Sequence, residues 1–163
     1  MKSEPSSTPD QALRDFSRSL PMVLLEAREA VMNRFRPMLR AHGVTEQQWR
    51  VLRALSGGET LEAGELARRC CLLTPSLTRI VKTLNRQGLL IREIDTQDLR
   101  RVRLAISDKG RRLIDDVAPH SEAHYAEITA RFGENNLQDL YDKLAALVEA
   151  LDSADQIVAQ SSK

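Results

Sequence analysis

Residues 73–90 read LTPSLTRIVKTLNRQGLL, and the polar side chains among them are of one chemical kind. Ser76, Thr78, Arg79, Lys82 and Arg86 offer hydroxyls and cations, while no Asp or Glu stands anywhere from 74 to 92. A helix face that meets only water normally mixes signs, because opposite charges three or four residues apart stabilise it. Hydroxyl donors and cations without acids suit phosphate oxygens and the acceptor-rich edges of base pairs instead. Other groups offer less. Cys70 and Cys71 are adjacent, a spacing that disfavours a disulfide between them and provides no CxxC metal or redox motif. They read as two small helix residues, one of them buried, with a thiol redox switch as the rival use. His120, His124 and Glu127 recur at helical spacing and offer metal ligands on one face. A partly exposed, pH-sensitive histidine pair is the commoner product of that spacing. No GxSxG elbow, Gly-rich phosphate loop or HExxH stretch appears, which argues against an enzyme.

The chain of 163 residues carries 24 Lys and Arg against 23 Asp and Glu, a balance that conceals segregation. Residues 1–73 hold eleven cations against nine anions, residues 74–112 ten against four, and residues 113–163 three against ten. A basic block in mid-chain is the footprint of a polyanionic partner, since each neutralised phosphate releases condensed counterions. With 42% apolar and 29% charged residues the composition is that of an ordinary soluble protein, and the length suits one compact unit. There is no run of about 18 apolar residues to span a bilayer. MKSEPSSTPDQ has one Lys and no apolar stretch behind it, so residues 1–18 are expected to be a flexible arm rather than a signal peptide. The expected location is the cytoplasm, with no cofactor and no membrane partner.

These residues need elements to position them. From Leu20 to Ala41, apolar residues at Leu20, Val23, Leu24, Ala27, Val31, Phe35, Met38 and Leu39 predict one long helix with a bend at Pro37. Gly43 ends it, and Thr45 caps a second helix that carries Trp49, Val51, Leu52 and Leu55. A short third helix lies in EAGELARRC. The fourth is expected to start with Thr74 as its cap and Pro75 as its first residue, to bury Leu77, Ile80, Val81 and Leu84, and to leave at Gly88. LLIREID and RVRLAIS then alternate, which predicts a two-stranded hairpin tipped by TQDLR. Ser107 caps a fifth helix, and a sixth carries Leu137, Leu140, Leu144, Leu147, Val148 and Leu151 as its stripe. The fold class is mainly α, an α+β winged helix-turn-helix with six helices and a two-stranded wing. The expected unit spans 19–152, with helices over 19–41 and 112–152 around a winged core at 45–110 and a tail at 153–163. Long terminal helices without a core of their own point to a homodimer, and a twofold protein reads a palindromic site.

The succession of two helices, ELARRC, TPSLTRIVKTLNRQGLL, a wing carrying DTQDLRRVRLAIS and then DKG resembles the MarR family of bacterial transcription regulators, from about residue 20 to residue 150. LLEAREAVMNRFRPMLRAHGVTEQQWRVLRAL further resembles the branch that contains repressors of homoprotocatechuate and nicotinate breakdown. The resemblance implies a homodimeric repressor whose hold on double-stranded DNA is weakened by a small aromatic carboxylate. It implies a recognition helix at 75–87, with Thr74, Ser76, Thr78, Arg79 and Lys82 as DNA contacts. The family's wing commonly reads Asp-Arg-Arg, whereas DLRR stands here at 98–101 and Leu99 replaces the first arginine. Arg100 thereby takes the minor-groove role with Asp98 fixing its fork, and Arg101 becomes a phosphate contact. Family effectors bind between the dimerisation helices and the DNA-binding lobe. The candidates here are Arg28, Met32, Trp49 and Arg53, with Phe35 as further apolar wall and Arg28 beside Trp49 as the expected pair: a cation for the carboxylate and an apolar slot for the ring. The alternative is a core tryptophan and arginines paired with Glu26, Glu29 and Glu46. The rival functions are a thiol sensor using Cys70 or Cys71 and an enzyme acting on an aromatic acid.

Overall fold

The computed structural model describes residues 15–94 and 102–161. A 3-10 turn at Phe16–Arg18, within the stretch expected to be an arm, leads into α1 (Leu20–Ala41) and α2 (Glu46–Leu55). Next come β1 (Leu61–Glu62), α3 (Ala63–Arg69), α4 (Thr74–Arg86), β2 (Leu90–Ile94) and β3 (Val102–Ile106). Two long helices close the chain, α5 (Asp108–Phe132) and α6 (Glu134–Ser161).

Most boundaries have the local causes that the residues suggest. α1 runs through Pro37 to Ala41, and Gly43 turns the chain with φ +74°. Thr45 then opens α2 with a reciprocal cap: its hydroxyl accepts from the Gln48 amide at 3.2 Å, and the Gln48 side chain accepts from the Thr45 amide at 2.8 Å. The start of α4 differs from expectation. Leu73 is the capping position, without a side-chain hydrogen bond, and Thr74 is the first helical residue with Pro75 behind it. Proline at the second position still lacks only an amide that the first turn leaves unpaired. At the far end, α6 continues to Ser161, so helical backbone crosses most of the stretch expected to be a tail.

The core belongs to the middle of the chain. Leu52 and Leu55 of α2, Leu66 of α3, Leu77 and Leu84 of α4, and Leu104 and Ile106 of β3 are all fully buried. The sheet has three antiparallel strands in the order β1-β3-β2, not two: Leu61 lies opposite Leu104, and Leu90 opposite Ile106. A strand of two residues, Leu61–Glu62, is too short to show alternation in sequence.

α5 is fastened to this lobe at its first turn. Ser107 donates from its hydroxyl to the Gly88 carbonyl at 2.6 Å and accepts from the Gly110 amide at 3.0 Å, while the Lys109 ammonium donates to the Gln87 carbonyl at 2.8 Å. Gly110 packs directly on the Leu89 carbonyl, and a Cβ there would also lie 2.7 Å from Ile106 Cγ1. The end of α4 and the start of α5 thus share one junction. Phe35 and Leu39 of α1 and Ile114 and Val117 of α5 join the core, but elsewhere the long helices are open: Leu20, Val23, Leu24 and Leu25 of α1, Phe132 of α5, and Leu140, Tyr141, Val148 and Leu151 of α6 are exposed. A groove of about 300 Å³ between the three helices is lined by Val31, Ile128, Phe132, Leu137 and Leu140.

Candidate nucleic-acid interface and ligand cavity

On α4 the period of the sequence sorts the side chains. Leu77, Ile80, Val81 and Leu84 are buried, which leaves Thr74, Thr78, Arg79, Lys82 and Arg86 exposed and Ser76 half-buried. Thr78 returns its hydroxyl to the Thr74 carbonyl at 3.0 Å, so its oxygen keeps lone pairs toward solvent. Beside this face β2 brings Arg92, which shares a cleft of about 320 Å³ with Thr78, Lys82 and Val102. Sequence reasoning did not select Arg92, although the hairpin register places it two residues past Leu90 at the edge of the recognition helix. Asp98, Arg100 and Arg101 lie outside the described residues.

A second constellation forms where α1, α2 and α5 meet. Arg28, Met32, Trp49 and Arg53 all line one cavity of about 360 Å³, together with Phe35, Glu46, Arg50, Ser121 and Tyr125. α2 supplies Glu46, Trp49, Arg50 and Arg53 because these fall on the side opposite its buried Val51, Leu52 and Leu55. The Arg53 guanidinium lies 6.0 Å from the centre of the Trp49 ring, a cation on an aromatic face. Phe35 packs at 5.1 Å against Tyr125 and at 5.2 Å against His124, closing the apolar side. Burial pushes the Tyr125 phenol above its ordinary pKa, Tyr141 adds to this, and the nearby Arg53 opposes it. Tyr125 therefore keeps its proton and can donate it in a hydrogen bond at neutral pH.

Arg28 stands in the cavity wall but already has acidic partners. It pairs with Glu46 and lies 2.8 Å from Glu29. Arg36 bonds Glu46 at 2.9 Å and Glu29 at 2.7 Å, and Arg50 reaches Glu46 at 3.1 Å. Glu46 thus gathers three guanidinium groups, and the Arg36 hydrogen bond, followed by the charges of Arg36 and Arg28, holds the Glu29 carboxyl below its ordinary pKa. The cation beside the tryptophan is Arg53, four residues along the same helix, rather than Arg28 from the neighbouring one.

The remaining candidates have structural partners. His120 stacks on His42 at 5.4 Å, and Glu127 pairs with Arg34 at 3.1 Å and Arg131 at 2.9 Å. Among the described residues no group of three His, Cys, Asp or Glu is placed to hold a metal ion. Cys70 is fully buried, and that burial raises its thiol pKa, the opposite of an activated thiolate. Cys71 is exposed and turns the chain with φ +49°.

The model of the MarR family matches residues 44–102, from the end of the α1–α2 turn to the first residue of β3. The transcriptional regulator FarR of Neisseria gonorrhoeae is 37% identical over 83% of this chain and 94% of its own. The chain belongs to the MarR family. Its likeness to other MarR proteins extends beyond the winged core into the flanking helices. The homoprotocatechuate degradative operon repressor of Escherichia coli is 38% identical over 75% of this chain and 82% of its own. NadR, solved in complex with 4-hydroxyphenylacetate, superposes with a TM-score of 0.72 at 35% identity, covering 83% of this chain and 96% of that one. Among the described residues no helix of this MarR protein is long and apolar enough to cross a membrane.

Proposed function

We propose that this protein is a ligand-responsive transcriptional repressor that binds a palindromic operator as a homodimer in the cytoplasm and releases it when a small aromatic carboxylate fills the cavity between α1, α2 and α5. It is a binding protein, not an enzyme. The observation that carries the reading is the Trp49–Arg53 pair in the cavity wall, with the Tyr125 phenol on the facing helix. Arg53 supplies the charge for the carboxylate, Tyr125 a hydrogen-bond donor, and Trp49, Met32 and Phe35 the walls for the ring. Arg28 keeps Glu46 in place rather than meeting the ligand first.

On the DNA side α4 enters the major groove, with Thr74, Ser76, Thr78, Arg79 and Lys82 at its surface and Arg92 on the flanking phosphates. By the family's pattern Arg100 is assigned the minor-groove contact and Arg101 a backbone contact. The exposed apolar faces of α1, α5 and α6 close against a second copy, which sets the distance between the two recognition helices. The ligand releases DNA because it binds one dimer arrangement more tightly than the other. The class of acid follows the relatives: NadR is solved with 4-hydroxyphenylacetate, and the Escherichia coli protein represses an operon for homoprotocatechuate degradation.

The chain's one tryptophan lies in the cavity, so its fluorescence reports occupancy directly. The test selects duplex from a random pool with the full chain, then titrates the recovered operator with and without 4-hydroxyphenylacetate and related acids. Quenching of Trp49 together with weakened, salt-sensitive binding supports the reading. Quenching without any change in DNA affinity removes the effector role, and failure to select any sequence removes the operator.

A further inference from the structure

We infer that Arg50 is the positioning residue that carries occupancy of the cavity to the recognition helix, an inference that rests on the effector reading above. Arg50 belongs to two places at once. Its guanidinium lines the cavity, bonding Glu46 at 3.1 Å through Nη2, while Nη1 donates to the Cys70 carbonyl at 2.8 Å. In return the Cys70 thiol approaches the Arg50 carbonyl at 3.6 Å. Cys70 ends α3, where carbonyls have no donor within the helix and depend on outside partners.

The turn that Arg50 holds is the one that sets α4. Cys71 follows with a left-handed φ of +49°, a conformation that a non-glycine residue keeps only when its surroundings enforce it. Three residues later α4 begins at Thr74. A displaced Cys70 carbonyl therefore displaces the start of the helix that faces DNA. A carboxylate can take a guanidinium in a bidentate pair, which adds energy and geometric specificity over a single bond to a neutral carbonyl. An acid that meets Arg53 with one carboxylate oxygen takes Nη1 of Arg50 from Cys70 with the other, and the Cys70 carbonyl must then turn toward water. DNA, which needs the turn closed, and ligand, which opens it, oppose one another through the same guanidinium, so each weakens the other by the same factor.

The experiment measures operator affinity of the full chain without and with 4-hydroxyphenylacetate, at ligand concentrations that saturate the Trp49 quench. The unaltered protein is expected to show a ratio of about tenfold, within the usual span of allosteric couplings. Arg50→Met should quench to saturation at some ligand concentration yet show a ratio within about twofold, because nothing is left to withdraw from Cys70. If that variant does not fold, Arg50→Lys retains a charge beside Glu46 but lacks the fork that spans both partners, and its ratio should fall likewise. Arg36→Gln removes another Glu46 partner without touching the turn and should keep the full ratio. An undiminished ratio in both Arg50 variants overturns the inference, as does an equal collapse in Arg36→Gln. An unaltered protein whose Trp49 quenches while its DNA affinity stays fixed overturns instead the effector reading beneath it.

Discussion

The lobe from α2 to β3 and the long helices around it use apolar residues in opposite ways. In the lobe, leucines from three helices and three strands converge until Leu52, Leu55, Leu66, Leu84 and Leu104 see no appreciable solvent. In the first turns of α1 and along α6, residues of the same type at the same helical spacing remain open, with Leu151 60% and Leu20 49% exposed. One region completes its core within the chain, and the other leaves apolar surface for the proposed second copy to cover. Under the proposed function the contrast divides the labour between a self-contained reading head and a frame that the second copy completes.

The sharpest way to break that contrast is to open the lobe. Leu84→Ala should cost roughly 2–5 kcal/mol in urea unfolding, because a fully buried leucine leaves a cavity its neighbours fill poorly. A loss below about 1 kcal/mol would mean that the lobe is not the tightly packed half. Leu140→Asp tests the other half. It should weaken the dimer by on the order of 1.5–3 kcal/mol per chain in sedimentation equilibrium, while the lobe's near-UV dichroism stays unchanged. If the lobe melts as well, the two regions are one folding unit. Gly110→Ala strikes the junction between them, and overpacking against the Leu89 carbonyl should cost about 1–3 kcal/mol in thermal unfolding. Lys82→Ala should leave stability intact and lower the slope of log affinity against log salt by about one for each subunit bound. An unchanged slope would place Lys82 away from phosphate.

The smallest expected effect concerns acid. The folded Glu29 carboxyl is held below its ordinary value of 4.5, so its contribution to stability is present above that value and fades as pH falls through the depressed one. Glu29→Gln should flatten this part of the acid limb in a pH series of melting temperatures. Full retention of the acid dependence would show that the ion cluster, solvent-exposed as it is, adds nothing measurable.

The reading head was legible because its signals are local. Leu77, Ile80, Val81 and Leu84 share one face of one helix, and Thr45, Gly88 and Ser107 mark boundaries through their own backbone and hydroxyl chemistry. β1 was not legible, since two residues carry no period and pair with Leu104 and Arg103 some forty positions away. The cap of α4 fell one residue early because Leu73 makes no side-chain bond that its type could announce. In the cavity, Arg28, Met32, Trp49 and Arg53 were all found, but which cation meets the ring was not. The i,i+4 relation of Trp49 and Arg53 on α2 was the available signal. Glu46's hold on Arg28 crosses two helices, and Tyr125 arrives from α5 more than seventy residues later, so neither could be seen in spacing alone.

The fastening of α5 to the exit of α4, through Ser107 on Gly88 and Lys109 on Gln87, has a bearing on how such a protein acquires new targets. In the proposed dimer the letters of an operator are read by side chains on α4, and the gap between its two halves follows from how α5 joins the second copy. Because the two share only a junction, vocabulary and spacing can be revised separately: a substitution far along α5 re-tunes the gap and leaves every letter as it was.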